Sequence, residues 1–257
     1  LLLIITVSKL ESYSLLMFLV SLLTSFLYVI VVKIKIKHYK EKILIDKKIF
    51  VNIFKYSAWN IIGTLALILR QQGVNILQNI FFYASINSAH SISQQVSVAI
   101  NQFINNIYIA TRPQITKYYA ANKENEMWKL FYSSNKYSYL ILLVLITPIF
   151  YKTEYILSKW LGKYPELTPM LLRLMLVSLL IETSVNQIVA IFQAKNVIKS
   201  YQIVSSIIML LNIPLSYLIL KYVNTNPIYP YCISIFLSIL YSISLVIVGF
   251  RKTGLNV

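Results

Sequence analysis

Apolar runs of about 20 residues, long enough to cross a bilayer, recur along this 257-residue chain and alternate with polar or basic connections. They predict seven membrane-spanning helices, at residues 13–32, 56–82, 86–113, 137–151, 170–193, 201–222 and 229–250. The leading stretch LLLIITV is too short to cross a bilayer, and we interpret it as the end of a further span. The chain is thus predicted to have three parts: residues 1–32, a basic connection at residues 33–55, and a bundle of six spans at residues 56–257.

One of these spans is much more polar than the others. Counted at 100° per residue, six polar side chains between residues 87 and 112 fall within about 40° of one line along a helix. They are Asn87, Ser91, Gln94, Asn101, Asn105 and Arg112. Each amide costs several kcal/mol in lipid without a hydrogen-bond partner, so this face must turn away from lipid. A polar cavity is the favoured interpretation, and a set of interhelical amide bonds is the alternative.

The first span of the six-span bundle has a similar polar face. Asn60, Thr64, Gln71 and Gln78 share one side of the predicted helix, and Asn75 lies beside it. Arg70 lies about 100° from Gln71, so its long side chain or a bend must bring it to the same cavity. Gly73 is the predicted bending point, because glycine weakens a helix locally.

Glu182 adds a carboxyl group on a third polar face, near the middle of the predicted span 170–193. Three interpretations remain open: a partner for Arg70, a proton carrier for ion coupling, or a neutral hydrogen-bonding acid. Pro214 is predicted to bend a later span. His90, at one end of the polar span, is predicted to be a polar cap rather than a proton switch.

Basic residues fix the predicted orientation. Seventeen of the 24 Lys and Arg residues fall on one side of the predicted spans and five on the other. The cytoplasmic side of membrane proteins is enriched in Lys and Arg, so the richer side and the C-terminus are predicted to be cytoplasmic. The remaining two, Arg70 and Arg173, lie within spans, and Arg173 is close enough to the outer end to reach the headgroups.

The basic connection carries apolar residues at helical spacing among its lysines, namely Ile45, Ile49, Phe50, Ile53 and Phe54. This pattern is typical of a helix lying in the cytoplasmic interface against anionic lipid. A solvated lysine loop is the alternative that the sequence leaves open.

Composition agrees with an integral membrane protein. Hydrophobic residues make up 58% of the chain, charged residues 12%, and the mean hydropathy is +0.67, whereas soluble domains carry about 25% charged residues. The net charge of +16 does not predict a nucleic-acid partner, because the positive residues lie between apolar runs. The single cysteine excludes an internal disulfide framework. No catalytic or cofactor motif is present in the sequence, so we expect neither an enzyme nor a cofactor.

Several segments together resemble a known family. They are FKYSAWNIIGTLALILRQQGVNILQNIFF, INSAHSISQQVSVAINQFINNIYIATRPQITKYYA, MWKLFYSSNKYSYL, LSKWLGKYP and LNIPLSYLILK. In order and spacing they resemble the polysaccharide-export flippases that carry O-antigen repeat units, within the superfamily of multidrug, oligosaccharide-lipid and polysaccharide exporters. The resemblance implies an all-α membrane protein with two six-helix lobes around a central cavity. Residues 1–32 would then end the first lobe, and residues 56–257 would form the complete second lobe.

The resemblance also implies a function. The cargo would be an oligosaccharide linked to undecaprenyl pyrophosphate, moved by alternating access from the cytoplasmic to the outer leaflet of a bacterial inner membrane. Arg70 would hold the pyrophosphate, and the amides would replace water around the sugars. The expected substrate-binding residues are Arg70, Gln71, Asn75, Gln78, Gln94, Asn101 and Asn105. Expected partners are the cargo, membrane lipids and other membrane proteins of polysaccharide assembly.

Three rival functions predict different features. A multidrug or ion antiporter of the same superfamily would favour several buried carboxylates. An O-antigen polymerase or ligase needs a large outer loop, and the longest predicted outer connection is under about 20 residues. A membrane scaffold has no use for an amide stripe that runs the full membrane depth.

Overall fold

The computed structural model describes residues 9–35 and 46–254, and over these ranges its helices are joined by short turns and loops without any strand. Its helices are α1 (Lys9–Lys35), α2 (Lys47–Phe81), α3 (Ala84–Ala120), α4 (Glu124–Tyr151), α5 (Thr153–Leu161), α6 (Thr168–Asn186), α7 (Ile188–Ala194), α8 (Ile198–Leu210), α9 (Asn212–Tyr222) and α10 (Tyr229–Thr253). The whole leading LLLIITV stretch and residues 36–45 of the basic connection lie outside the described residues.

Four helical segments are long and apolar enough to cross a membrane: Ser12–Ile34, Thr168–Ala194, Ile198–Tyr222 and Tyr229–Thr253. The count rises to five if the bent pair α4 and α5 forms one span. The chain is therefore an all-α protein with the features of a multi-pass membrane protein. The two longest described helices, α2 with 35 residues and α3 with 37, are not among these segments. These are the helices whose polar faces lower their hydropathy.

The chain divides into two units, Leu1–Val51 and Asn52–Val257. In the first unit, the most apolar window of α1 has no residue buried within the protein. The sequence assigns residues 47–55 to the basic connection. In the structure they form the first turns of α2.

The core of the second unit forms around α6, which packs against α3, α4 and α10. One apolar cluster joins α3, α4 and α6 and includes the fully buried Ile104, Leu142 and Leu176. A second cluster continues through α7 and α8, where the rings of Phe192 and Tyr201 stack with their centroids 4.9 Å apart.

A sharp bend of 79° separates α4 from α5. Pro148 lies in the last turn of α4, where its missing N–H weakens the helix. Arg173 of α6 fastens the bend: its Nε donates a hydrogen bond to the Phe150 carbonyl over 3.1 Å, and its Nη2 donates to both carboxylate oxygens of Glu154 over 2.8 and 2.9 Å. Arg173 thus joins three helices at this corner.

Two other long segments are interrupted by short breaks. The break between α6 and α7 lies at Gln187, and the break between α8 and α9 lies at Leu211. Pro214 follows in the first turn of α9, where its missing N–H is not needed for the helical ladder. The position of Pro214 therefore coincides with an interruption of the helix.

Gly73 has a packing role in the structure. The helix α2 continues through Gly73 without a break, and the glycine is buried. A Cβ atom at this position would overlap the side chain of Ile213 on α9. The missing side chain therefore lets α2 and α9 approach closely at this point. A hinge at Gly73 stays a prediction.

We predict that Gly73→Ala lowers the free energy of unfolding by about 1–3 kcal/mol, because the added methyl group overpacks the contact with Ile213. Reversible unfolding in mixed micelles measures this change. The same substitution in an Ile213→Ala background should have a smaller effect, because the atoms of Ile213 that the new methyl group would overlap are then absent. An equal loss in both backgrounds would contradict the close contact.

Candidate functional site

A cavity of about 140 Å³ lies among α2, α3, α6 and α10 and opens to solvent. All four helices contribute polar side chains to its wall. The lining residues are Leu67, Arg70, Gln71 and Val74 of α2, His90, Gln94, Ser97, Val98 and Asn101 of α3, Met175, Ser178, Leu179 and Glu182 of α6, and Tyr231 and Ser234 of α10.

An ion pair lies on the wall of this cavity. Arg70 Nη2 lies 2.7 Å from Glu182 Oε1, and the two side chains are 11% and 21% exposed. The Ser238 hydroxyl donates to the same carboxylate oxygen over 2.6 Å and accepts a hydrogen bond from Arg70 Nη2 over 3.2 Å. Charge-assisted hydrogen bonds of this kind offset the cost of removing both charges from water.

The ion pair leaves part of the guanidinium unused. The Nε and Nη1 atoms of Arg70 have no hydrogen-bond partner among the described residues, and neither is a buried unpaired donor. Since Arg70 lines the cavity, these donors remain available to a ligand. The negative charge of Glu182 is balanced by the positive charge of Arg70, so the pair as a whole is neutral.

The amides of the α3 stripe divide between open space and an interhelical hydrogen bond. Gln94 and Asn101 line the cavity, and Asn105 lies half-buried one turn further along the same helix. In the described part of the chain, none of these three side chains forms a hydrogen bond with another helix. Asn87, at one end of the stripe, donates a hydrogen bond to Asn79 of α2 over 2.8 Å. The geometry therefore fits the cavity interpretation at Gln94 and Asn101 and the interhelical alternative at Asn87.

The amides of α2 divide between two environments. Gln71 lines the main cavity and a neighbouring cavity of about 280 Å³, which Asn75 also lines. The Asn75 Oδ1 atom is buried without a hydrogen-bond partner. Gln78 does not line the cavity: its side chain is fully buried, and its amide donates to the Pro227 carbonyl over 3.4 Å.

Tyr108 and Thr111, further along α3, bond α6 and the break that follows it. Gln187, at the break after α6, donates to Thr111 of α3 over 2.8 Å and to Ser134 of α4 over 3.1 Å. The Tyr108 hydroxyl donates to the Thr183 carbonyl over 3.2 Å. These bonds satisfy backbone and side-chain groups at the break and hold α3, α4 and α6 together.

The sequence did not identify the contribution of α10. Ser234 and Tyr231 line the cavity, and Ser238 completes the ion pair. The Tyr231 hydroxyl shares a hydrogen bond of 2.6 Å with His90 Nδ1, so His90 belongs to the cavity wall. The spacing of residues 231, 234 and 238 on one helical face was the available signal.

Comparison with protein-family models, curated proteins and solved structures finds no significant match to this chain. Membership of the family that the sequence resembles therefore stays a prediction.

We predict that Arg70→Gln and Glu182→Gln each lower the free energy of unfolding by about 2–4 kcal/mol, because each leaves a charge without its partner. The double variant should lose less than the sum, by a coupling energy of about 1–3 kcal/mol. Unfolding in mixed micelles provides the four measurements. The more exposed pair of Arg173 and Glu154 is the matched control, with an expected coupling below about 1 kcal/mol. An additive double variant at Arg70 and Glu182 would show that the ion pair does not form.

Proposed function

We propose that this chain is part of a membrane flippase that moves an oligosaccharide linked to a polyprenyl diphosphate across a bacterial inner membrane. The observation that carries this proposal is the cavity among α2, α3, α6 and α10, whose walls combine amides, hydroxyls and a neutral ion pair. Sugars present hydroxyl groups that both donate and accept hydrogen bonds. Amides and hydroxyls can satisfy both roles as the cargo leaves water.

The proposal includes α2 and α3 as membrane spans. A helix that lines a polar cavity needs only part of its circumference to be apolar, which accounts for the lower hydropathy of these two helices. With α4 as one span that ends at the bend, α6 and α7 as another, α8 and α9 as a third, and α10, they would make the six spans of one transport lobe. Residues 1–32 would then belong to a preceding lobe, as the family resemblance implies.

The orientation follows from the same arrangement. Seventeen of the 24 basic residues would face the cytoplasm together with the C-terminus. A diphosphate that leaves a cell with a negative interior moves down the membrane potential by about 2.3 kcal/mol per charge per 100 mV. Net export therefore needs no ion coupling in principle, which leaves Glu182 free to act as the partner of Arg70.

The charge of the cavity distinguishes this function from that of a drug antiporter. A site for cationic drugs needs an uncompensated negative charge. The one carboxylate that lines the described cavity is Glu182, and Arg70 neutralises it. The site therefore suits a polar cargo with neutral sugars better than a cation.

We predict that a cysteine at position 101 is reached from water and a cysteine at position 103 is not. In a Cys232→Ala background, Asn101→Cys should react with a small hydrophilic maleimide at least about tenfold faster than Phe103→Cys, since thiols react as thiolates. Phe103 is 60% exposed but lies about 160° from Asn101 on α3, on the face that would meet lipid. Labelling in native membranes gives the rates, and Ile104→Cys, at a fully buried position, is a second control. Equal rates at positions 101 and 103 would contradict a water-filled cavity.

We predict that Arg70→Ala abolishes export in cells that depend on this gene. The unpaired Glu182 would place a net negative charge in the cavity and repel the phosphate-bearing cargo. Surface polysaccharide should disappear while lipid-linked oligosaccharide accumulates on the cytoplasmic side. Arg173→Ala, which removes the arginine of an ion pair outside the cavity, should keep surface display. Normal display in Arg70→Ala cells with equal protein levels would remove Arg70 from the mechanism.

A further inference from the structure

We propose that Arg112 forms a binding site for the phosphate groups of a membrane-embedded lipid, separate from the cavity around Arg70. For a cargo lipid, this inference deepens the proposed function and rests on it. The sugars would occupy the cavity, and the phosphates would lie at Arg112 instead of at Arg70.

The position of Arg112 places it on the line of the cavity amides. Arg112 follows Gln94 by 18 residues, which is five full turns of an α-helix, so both side chains leave α3 on the same side. It lies 11 residues beyond Asn101, or about 16 Å along the helix axis. The stripe thus leads from the cavity past Asn105 to Arg112.

The two arginines differ in their charge balance. Arg70 is neutralised by Glu182, and therefore the cavity has no net positive charge to hold a diphosphate. Arg112 has no carboxylate within 4.0 Å in the described part of the chain, where the three ion pairs involve other residues. The uncompensated positive charge on this face is therefore at Arg112.

The hydrogen bonding of Arg112 leaves one of its donors without an acceptor. Its side chain is half-buried, and its Nε atom is buried without an acceptor. Neutral phenols surround it: the guanidinium carbon lies 5.9 Å from the centre of the Tyr108 ring, and the Tyr201 hydroxyl is near enough to interact with it electrostatically. The rings hold the guanidinium without neutralising it. A buried charged donor without an acceptor is the group that an incoming anion would satisfy.

The chemistry of the guanidinium selects the ligand class. Its planar fork of N–H donors binds a phosphate or diphosphate through two parallel hydrogen bonds. A phosphate at this depth could come from a polyprenyl diphosphate cargo or from the headgroup of a bilayer phospholipid. Both would place the phosphate at the guanidinium, but only the cargo would also place sugars along Asn105 and Asn101.

Binding of defined lipids to the purified full chain tests this site. The probes are a long-chain polyprenyl diphosphate, the matching polyprenol without phosphate, and phosphatidylglycerol, each titrated by native mass spectrometry. Arg112→Ala should weaken polyprenyl diphosphate binding at least tenfold and leave polyprenol binding unchanged. Arg112→Lys should give an intermediate loss, because lysine keeps the charge but not the two-bond geometry. Arg251→Ala, at an exposed position in the last turn of α10, is the matched control and should change affinity less than twofold.

The outcomes separate the two lipid sources. If the Arg112 variants lose affinity only for the polyprenyl diphosphate, the site binds the cargo. If they lose as much affinity for phosphatidylglycerol, the site binds bilayer lipid, and the cargo phosphate binds elsewhere. Unchanged binding of both phosphate lipids in an Arg112→Lys variant that unfolds like the wild type would overturn the proposal. Failure of the proposed function is seen separately: the wild-type chain would bind polyprenyl diphosphate at Arg112 but would not support surface display of polysaccharide.

Discussion

The ion pair between Arg70 and Glu182 is the interaction on which the arrangement of the cavity depends. Arg70 belongs to α2, Glu182 to α6 and their shared partner Ser238 to α10, so a single cluster fixes three helices relative to one another. If α2 crosses the bilayer as proposed, Arg70 alone would cost roughly 2.5–3.5 kcal/mol on insertion scales. The cost is offset only when the three helices meet at this point. The same contact that makes the charge tolerable therefore defines the wall of the cavity.

A second constraint is the need to satisfy amides in an apolar environment. The structure solves it differently at two levels along α3. Tyr108 bonds the Thr183 carbonyl near the end of α6, and Thr111 accepts a hydrogen bond from Gln187 at the break that follows. Gln94 and Asn101, in contrast, line the cavity. Polar groups close to one another on a single helix thus serve two purposes. One set holds helices together, and the other lines a cavity between them.

The polar face of α3 could be found from the sequence because helical geometry is local. Counting 100° per residue brings Gln94 and Asn101 to the same side whatever the rest of the chain does. The role of Glu182 could only be narrowed to three interpretations, because Glu182 lies 112 residues from Arg70 and the distance between them in space depends on how α2 and α6 pack. The same limit explains Gln78, whose angle on α2 matches that of Gln71 but whose neighbour is the Pro227 carbonyl. Serines on α10 gave little signal because a serine in a helix often bonds its own backbone.

The corner between α4 and α5 has a consequence for how the protein meets the bilayer. After a turn of 79°, α5 runs across the direction of α4 and exposes Tyr155 and Trp160, which are 61% and 53% exposed. Rings of these two types prefer the boundary between headgroups and hydrocarbon. For a bundle embedded in lipid, α5 would then lie at the membrane interface and determine how deeply α4 sits in the bilayer. Because Arg173 links the corner to α6, a bilayer of different thickness would pull on the helix that carries Glu182.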